Sequence, residues 1–109
     1  RRSNATPNPE VMRIGTIEIH IMARTLHRGG RHIPISRKEF DLIRCLAEHA
    51  GSYLPRSFLL DKVWNLGFDP QTNVVDVHIS RLRRKLDEGF ERASIRSARG
   101  EGYMLDPGA

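Results

Sequence analysis

The first third of the chain alternates apolar and polar residues as strands do. Residues 17–21 have the sequence Ile-Glu-Ile-His-Ile, a period of two that is typical of a strand with one buried face. Gly29 and Gly30 follow, and adjacent glycines supply the positive φ angles that a two-residue hairpin turn needs. The segment 11–35 therefore predicts three or four short antiparallel strands.

A helical period begins at Ser36. Residues 36–39 have the sequence Ser-Arg-Lys-Glu, the capping-box form in which the serine caps the first free amides and the glutamate bonds back to the cap. Apolar residues then recur at steps of three and four as far as Ala50. Gly51 is placed to end this helix in the left-handed conformation. The pattern predicts a first helix with one apolar face.

Two more helices are predicted downstream. The second opens at Pro55 and stops before Gly67, and the third runs from about Asn73 to Asp87. Their apolar residues recur at helical spacing, which places them on one face of each helix. The two stripes are Leu59, Leu60, Val63 and Trp64 in the second helix, and Val75, Ile79, Leu82 and Leu86 in the third.

Short strands return at the C-terminal end. Residues 95–98 and 103–105 flank a turn that contains two glycines, a pattern that predicts a β-hairpin. The order of elements predicts an α+β domain over residues 11–106. Residues 1–10 contain few apolar side chains and are expected to be a linker, an arm or residues added by cloning, and residues 107–109 are expected to be a tail.

Length and composition limit the class of protein. A chain of 109 residues suffices for one domain with a single core but is short for a two-lobed enzyme. No run of about 18 apolar residues is present, so no membrane span is predicted. The single cysteine, Cys45, excludes an intrachain disulfide, fits a cytoplasmic protein and is expected to lie in the core.

The formal net charge of +5 favours an anionic partner, with nucleic acid ahead of a membrane surface; the alternative is ordinary solubilising charge. Between residues 81 and 99, seven basic residues stand against three acidic ones. Binding to a duplex depends largely on neutralised phosphates. Arg99 precedes a glycine, so a tight turn can project its guanidinium into a minor groove. The alternative for Arg99 is a solvated arginine in a turn.

The face of the third helix opposite its apolar stripe suits a major groove. Arginine binds guanine, asparagine binds adenine, and apolar side chains contact thymine methyl groups. The alternative is that the valines pack inside the domain and the arginines are solvated. The face and its flanks carry Asn73, Val74, Asp76, Val77, His78, Ser80, Arg81, Arg83 and Arg84.

Other classes of function leave weaker signals. The histidines stand apart, with no pair at metal-ligand spacing and no cysteine cluster, so neither an enzyme nor a metal or cofactor site is predicted. A protein-interaction module that docks an acidic partner remains compatible with the basic helix. The sequence gives less support for RNA binding, because the aromatic residues fall mostly on predicted core faces and form no stacking surface. The histidines are His20, His27, His32, His49 and His78.

Four motifs occur in order along the chain: Ile-Ser-Arg-Lys-Glu-Phe-Asp-Leu at 35–42, Val-Trp at 63–64, Val-Asp-Val-His-Ile-Ser-Arg-Leu-Arg at 75–83 and Arg-Gly-Glu-Gly-Tyr at 99–103. Together they resemble the OmpR/PhoB family of two-component response regulators. The resemblance covers about Met12 to Leu105. It implies a winged helix-turn-helix with an N-terminal four-stranded antiparallel sheet, three helices and a C-terminal β-hairpin wing.

The resemblance also implies roles for individual residues in DNA binding and transcription. Arg81 is the expected principal base contact, with Val74, Asp76 and Val77 near base edges and Asn73 and Ser80 on the same surface. The expected phosphate and sugar contacts are His78, Arg83, Arg84, Ser97 and Tyr103, with Arg99 in the minor groove. The expected polymerase-contact loop is Gly67, Phe68, Asp69, Pro70 and Gln71.

The implied partners are double-stranded DNA, with direct repeats bound by a weak homodimer, and RNA polymerase. A receiver domain in the full-length chain and a sensor histidine kinase that acts on it are also implied. Asp76 needs a specific role, because phosphate repels a carboxylate near DNA. It can accept from a cytosine amino group or orient an arginine; alternatively, it interacts with the helix dipole.

Overall fold

The alternating N-terminal segment forms four strands in the computed structural model, which describes residues 10–67 and 70–109. The strands pair antiparallel in sequence order, which confirms the predicted sheet. Gly29 and Gly30 have φ angles of +59° and +83° and close the predicted hairpin, with Arg28 paired to Arg31. The strands are β1 (Val11–Ile14), β2 (Ile17–His20), β3 (Thr25–Arg28) and β4 (Arg31–Ile33).

Three helices follow the sheet, α1 (Arg37–Glu48), α2 (Arg56–Trp64) and α3 (Val74–Asp87). The predicted capping box is present at the start of α1. The Ser36 Oγ accepts from the Glu39 amide at 3.2 Å, and the Ser36 amide donates to Glu39 Oε1 at 2.8 Å. These bonds satisfy two amides that would otherwise lack partners at the helix start.

Both of the first two helices end earlier than the glycines suggested. α1 ends at Glu48, and Gly51 lies beyond it with φ +88°. The Gly51 amide instead donates to the Leu105 carbonyl at 3.0 Å, so it joins the C-terminal strand. In α2 the left-handed cap is Asn65, because an asparagine side chain tolerates that conformation.

The predicted C-terminal hairpin forms from β5 (Ile95–Ala98) and β6 (Gly102–Leu105). We call this hairpin the wing. The main chain of Tyr103 also pairs with Leu54, through hydrogen bonds of 2.7 and 3.1 Å. A Cβ atom at Gly102 would lie 1.9 Å from the Leu54 carbonyl oxygen. Only glycine permits this close approach of the wing to the segment before α2.

The core lies where the inner face of the sheet meets the three helices. Ile17, Ile19 and Leu26 are fully buried there, as is the predicted apolar stripe of α3. Cys45 is buried as expected. Trp64 is only partly buried, because it lies at the edge of the core with its ring against His78.

One basic side chain lies inside the domain. Arg28 is 1% exposed, and its guanidinium donates to Thr16, to the Asp87 carboxylate and to the carbonyls of Leu86 and Arg92. It therefore ties β3 to the end of α3 and to the segment before the wing. Residues 107–109, expected to be a tail, also fold back, since Thr16 Oγ1 donates to the Ala109 carbonyl at 2.6 Å.

Candidate nucleic-acid interface

α3 has one buried and one exposed face. Its apolar stripe is at most 1% exposed, whereas Asn73, Ser80, Arg81 and Arg84 are exposed on the other side. The buried stripe determines which residues face solvent, because side chains three and four residues apart share one face of a helix. Six of the predicted contact residues line a shallow depression: Asn73, Asp76, Val77, Ser80, Arg81 and Arg84.

The two valines of this helix have different surroundings. Val74 is half-buried and packs against the core, while Val77 is half-buried on the side of the depression. The alternative considered from the sequence, that the valines pack inside the domain, therefore applies to Val74. Val77 is the one of the two whose side chain borders the depression.

Six of the seven basic residues between 81 and 99 fall into two groups. Lys85 pairs with Glu39 at 2.7 Å, and both Arg92 and Arg96 pair with Asp106, at 3.1 and 2.9 Å. Bonds from Arg92, the Gly108 amide and Arg96 hold the pKa of the Asp106 carboxyl well below its usual range. The charge excess estimated from sequence therefore overstates the charge available to a partner.

The second group has no such partners. Within residues 10–67 and 70–109, the exposed side chains of Arg81, Arg84 and Arg99 form no ion pair with an acidic group. Arg99 lies at the exposed tip of the wing beside Gly100, whose φ is +79°. Among the exposed basic residues between 81 and 99, those without an acidic partner thus lie on the open face of α3 and on the wing tip.

His78 and Arg83, which were predicted to contact phosphates, are only partly exposed. The His78 Nδ1 lies 2.9 Å from the Val74 carbonyl, and its ring packs on Trp64 at a centroid distance of 5.1 Å. Arg83 is half-buried, and its Nε and Nη2 atoms are buried without a hydrogen-bond partner among the described residues. A phosphate contact from Arg83 would require its guanidinium to turn outward.

Asp76 and Tyr103 bond to each other. The Tyr103 hydroxyl donates to Asp76 Oδ1, and Arg56 Nη2 lies 3.3 Å from Asp76 Oδ2. Burial and the bond to Asp76 raise the pKa of Tyr103 to about 12. Of the roles considered for Asp76 from the sequence, this geometry favours orientation of an arginine. The other predicted wing residue, Ser97, is exposed.

Sequence reasoning missed Arg56 and Arg28. Arg56 begins α2, and an arginine in the first turn is unfavourable next to the helix dipole, so an acidic partner could have been expected. The partner, Asp76, could not be identified because it lies on another helix. Arg28 lies two residues after Leu26, so the period of two places it on the inward face of β3, but its partners on α3 and before the wing have no signal in the sequence.

The expectation that the histidines stand apart is wrong for three of them. His20, His27 and His32 come together on the outer face of the sheet, with ring centroids 4.7 and 5.2 Å apart between neighbours. The pairing of strands brings them together, which sequence spacing does not show. Burial, and then electrostatic interaction with the two neighbouring imidazoles, lowers the pKa of His27. Among the described residues, no group of three metal-ligating side chains is arranged to hold an ion.

The predicted polymerase-contact loop is described only in part. Phe68 and Asp69 lie outside the described residues. Gly67 is exposed, Pro70 is half-buried, and Gln71 is exposed with φ +58°. In the part of the chain that the structure describes, none of the helices has the length and apolar character needed to cross a membrane.

Residues 30–105 match the model of a family described as "Transcriptional regulatory protein, C terminal". The chain is 37% identical over 106 residues to the transcriptional regulatory protein CusR of Escherichia coli K12. It is 40% identical over 105 residues to the transcriptional regulatory protein PrrA of Mycobacterium tuberculosis. These matches cover 97% and 96% of this chain but only 47% and 45% of those proteins. The chain thus spans less than half the length of these relatives.

Two solved structures have closely similar folds. The RstA DNA-binding domain of Klebsiella pneumoniae, solved in complex with the RstA box, has a TM-score of 0.80 and 34% identity, covering 90% of this chain and 98% of that one. The DNA-binding domain of CpxR from Escherichia coli has a TM-score of 0.80 and 27% identity, covering 95% of this chain and 100% of that one. These likenesses confirm the predicted winged-helix fold.

Proposed function

The chain belongs to the family of C-terminal domains of transcriptional regulatory proteins, the OmpR/PhoB type of response-regulator DNA-binding domain, and on that premise we propose that it recognises a specific duplex sequence by inserting α3 into the major groove. The observation that carries this proposal is the exposed face of α3, where Arg81 and Arg84 have no acidic partner among the described residues. A helix of 14 residues is about 21 Å long, and the major groove admits a helix.

Within this arrangement, Arg81 is the principal base contact, because its exposed guanidinium can bond two acceptors of guanine at once. Val77 contacts a thymine methyl group. The polar residues Asn73 and Ser80 bond base edges or nearby phosphates. The exposed side chains of Arg84 and Ser97 supply the remaining phosphate contacts. Arg83 joins them only when its guanidinium turns outward, and His78 only when its ring leaves the Val74 carbonyl.

The wing supplies a second contact. Arg99 enters the adjacent minor groove, where a narrow A/T-rich segment has an enhanced negative potential that attracts arginine. Its exposure at the wing tip and its lack of an acidic partner among the described residues support this role. The similarity to the RstA domain, which was solved with its own DNA box, supports duplex DNA as the partner.

For the whole protein, we infer a non-catalytic regulator of transcription that acts in the cytoplasm. A sensor histidine kinase phosphorylates a receiver domain of the same protein, and this receiver domain controls DNA binding. Two copies of the protein bind direct repeats as a weak homodimer. The loop Gly67–Gln71 contacts RNA polymerase. The share of the relatives that this chain leaves uncovered is long enough for a receiver domain.

Selection of bound duplexes from a random pool by this domain tests the proposal directly. We expect an enriched motif, and the enriched sequence then serves as the specific site in all later measurements. Binding without enrichment would reduce the basic face to a nonspecific anchor. No binding to any duplex would favour a protein-interaction module instead.

Replacement of Arg81 tests its role in base recognition. We expect Arg81→Ala to weaken binding to the selected site by about 1–3 kcal/mol and to relax the base preference at one position. The matched control is Arg44→Ala, which removes an arginine of α1 that pairs with Glu48. Titration of fluorescent duplexes measures both. Equal losses on selected and random duplexes would contradict a base contact.

A further inference from the structure

Three elements of the interface meet at one carboxylate. We propose that Asp76 and Tyr103 are positioning residues: their hydrogen bond, together with Arg56, holds the wing at a fixed angle to α3 and so determines where Arg99 meets the minor groove. This inference rests on the proposed function, since it assigns to these residues a role in DNA recognition other than direct contact.

The carboxylate of Asp76 bonds in two directions. Its Oδ1 accepts from the Tyr103 hydroxyl on β6, and its Oδ2 lies 3.3 Å from Arg56 Nη2 at the start of α2. Arg56 also donates to the carbonyl of Thr72, just before α3 begins. One acidic group therefore links α2, α3 and the wing.

Tyr103 is held on its other side by main-chain bonds. Its amide and carbonyl pair with Leu54, at 3.1 and 2.7 Å. The wing is thus attached through the backbone of Tyr103 to the segment before α2 and through its hydroxyl to α3. The main-chain bonds of Tyr103 and the Gly51–Leu105 bond hold the wing against the segment between α1 and α2, whereas the hydroxyl bond holds it against α3, so the hydroxyl restrains tilting of the hairpin relative to α3. The tip with Arg99 extends beyond both attachments, so their geometry sets its position.

The same bonds explain why a carboxylate is tolerated at a DNA-facing position. The positive charge of Arg56 balances Asp76 locally, which reduces repulsion of phosphate. The Tyr103 hydroxyl is protonated at neutral pH, as tyrosine hydroxyls ordinarily are, and it can therefore donate to Asp76. A cleft of about 490 Å³ lies between these residues and the wing tip.

The opposing hypothesis is that the Tyr103 hydroxyl donates directly to a phosphate. The two roles predict different patterns of loss. A direct contact weakens binding by the same factor whatever the flanking bases are. A positioning role weakens only the part of the affinity that depends on Arg99 and on A/T-rich flanks.

The first experiment uses no DNA. Amide hydrogen exchange of residues 96–104 is compared in the wild type, in Tyr103→Phe and in the control Tyr53→Phe, which removes a hydroxyl from the half-buried tyrosine outside this cluster. We expect faster exchange in the wing of Tyr103→Phe only. Asp76→Asn keeps an acceptor for Tyr103 and should retain most wing protection, whereas Asp76→Ala should lose it. Unchanged exchange in Tyr103→Phe and in Asp76→Ala would overturn the proposal even if the domain bound no DNA.

The second experiment measures affinity for the selected site with A/T-rich or G/C-rich flanks. We expect Tyr103→Phe to bind the A/T-flanked duplex about three- to tenfold more weakly and to match the wild type on the G/C-flanked duplex. In an Arg99→Ala background, the tyrosine substitution should have no further effect. An equal loss on both duplexes, or the same added loss without Arg99, would show a direct phosphate contact and overturn the positioning role.

Discussion

The contribution of an arginine to the stability of this domain depends on how deeply its guanidinium is buried. Arg28 is enclosed and bonds to acceptors on three segments, and the Asp87 carboxylate compensates its charge. Arg24, in contrast, lies half in solvent and pairs with Asp41 at 2.8 Å. A buried charge that loses its partner is costly, whereas an exposed pair contributes little. Burial, and not residue type, therefore decides which arginine the fold depends on.

This contrast gives a test of stability at two matched positions. We expect Arg28→Met to lower the free energy of unfolding by about 3–5 kcal/mol, because Asp87 and two carbonyls lose their donor while the volume is nearly kept. We expect Arg24→Met to lower it by less than about 1 kcal/mol. Urea denaturation followed by circular dichroism measures both. Similar losses at the two positions would show that Arg28 does not join the sheet to α3.

At the level of elements, the wing depends on close contact between two backbones. Gly102 has φ +114° and lies against the carbonyl of Leu54, while Gly100 has φ +79° and open space around the position of a Cβ. Both conformations favour glycine, but only at Gly102 would a side chain also meet another segment. The pairing of β6 with Leu54 therefore requires a glycine for steric reasons as well as for its backbone angle.

A pair of alanine substitutions separates these two reasons. We expect Gly100→Ala to destabilise the domain by about 1–2 kcal/mol, the cost of a left-handed residue. We expect Gly102→Ala to cost about 2 kcal/mol more, because the segment before α2 must move. Thermal unfolding measures the difference. If the two variants unfold at the same temperature, the contact with Leu54 does not hold the wing.

Over the whole molecule, ion pairing divides the positive charge into a compensated and an uncompensated part. Arg92 and Arg96 pair with Asp106 at the base of the wing. In the described chain, Arg81, Arg84 and Arg99, on the surface of α3 and the wing, have no acidic partner, and five other basic residues also form no ion pair: Arg31, Arg37, Lys38, Lys62 and Arg83. A duplex releases counterions for each phosphate that a protein neutralises, so we expect the uncompensated arginines on the proposed interface to contribute to the salt dependence of binding and the paired ones not to.

The salt dependence of binding checks this division of charge. For about five phosphate contacts, we expect the logarithm of the association constant to fall with the logarithm of salt concentration with a slope near −4.5. Arg84→Ala should reduce the slope by about one. Arg92→Ala, which removes a paired arginine, should leave it unchanged. A slope that changes equally in both variants would mean that the whole basic surface binds the duplex.

The sequence by itself determined the elements and their order. Alternation, helical spacing, the capping box at Ser36 and the glycine pair at the β3–β4 turn are local signals, because hydrogen bonds and backbone angles between near neighbours produce them. The buried stripe of α3 followed from the same reasoning, and with it the exposure of Arg81. Four motifs in order were sufficient to indicate the family.

Only the tertiary structure decided which of these residues have partners. Asp76 and Tyr103 are 27 positions apart, and Arg28 and Asp87 are 59 apart. The grouping of His20, His27 and His32 likewise depends on strand register. Contacts of this kind depend on the angles at which packed elements cross, and no local pattern records those angles. The positions of the basic residues were therefore known from the sequence, whereas the sequence did not show which of them already pair with an acidic residue of the same domain.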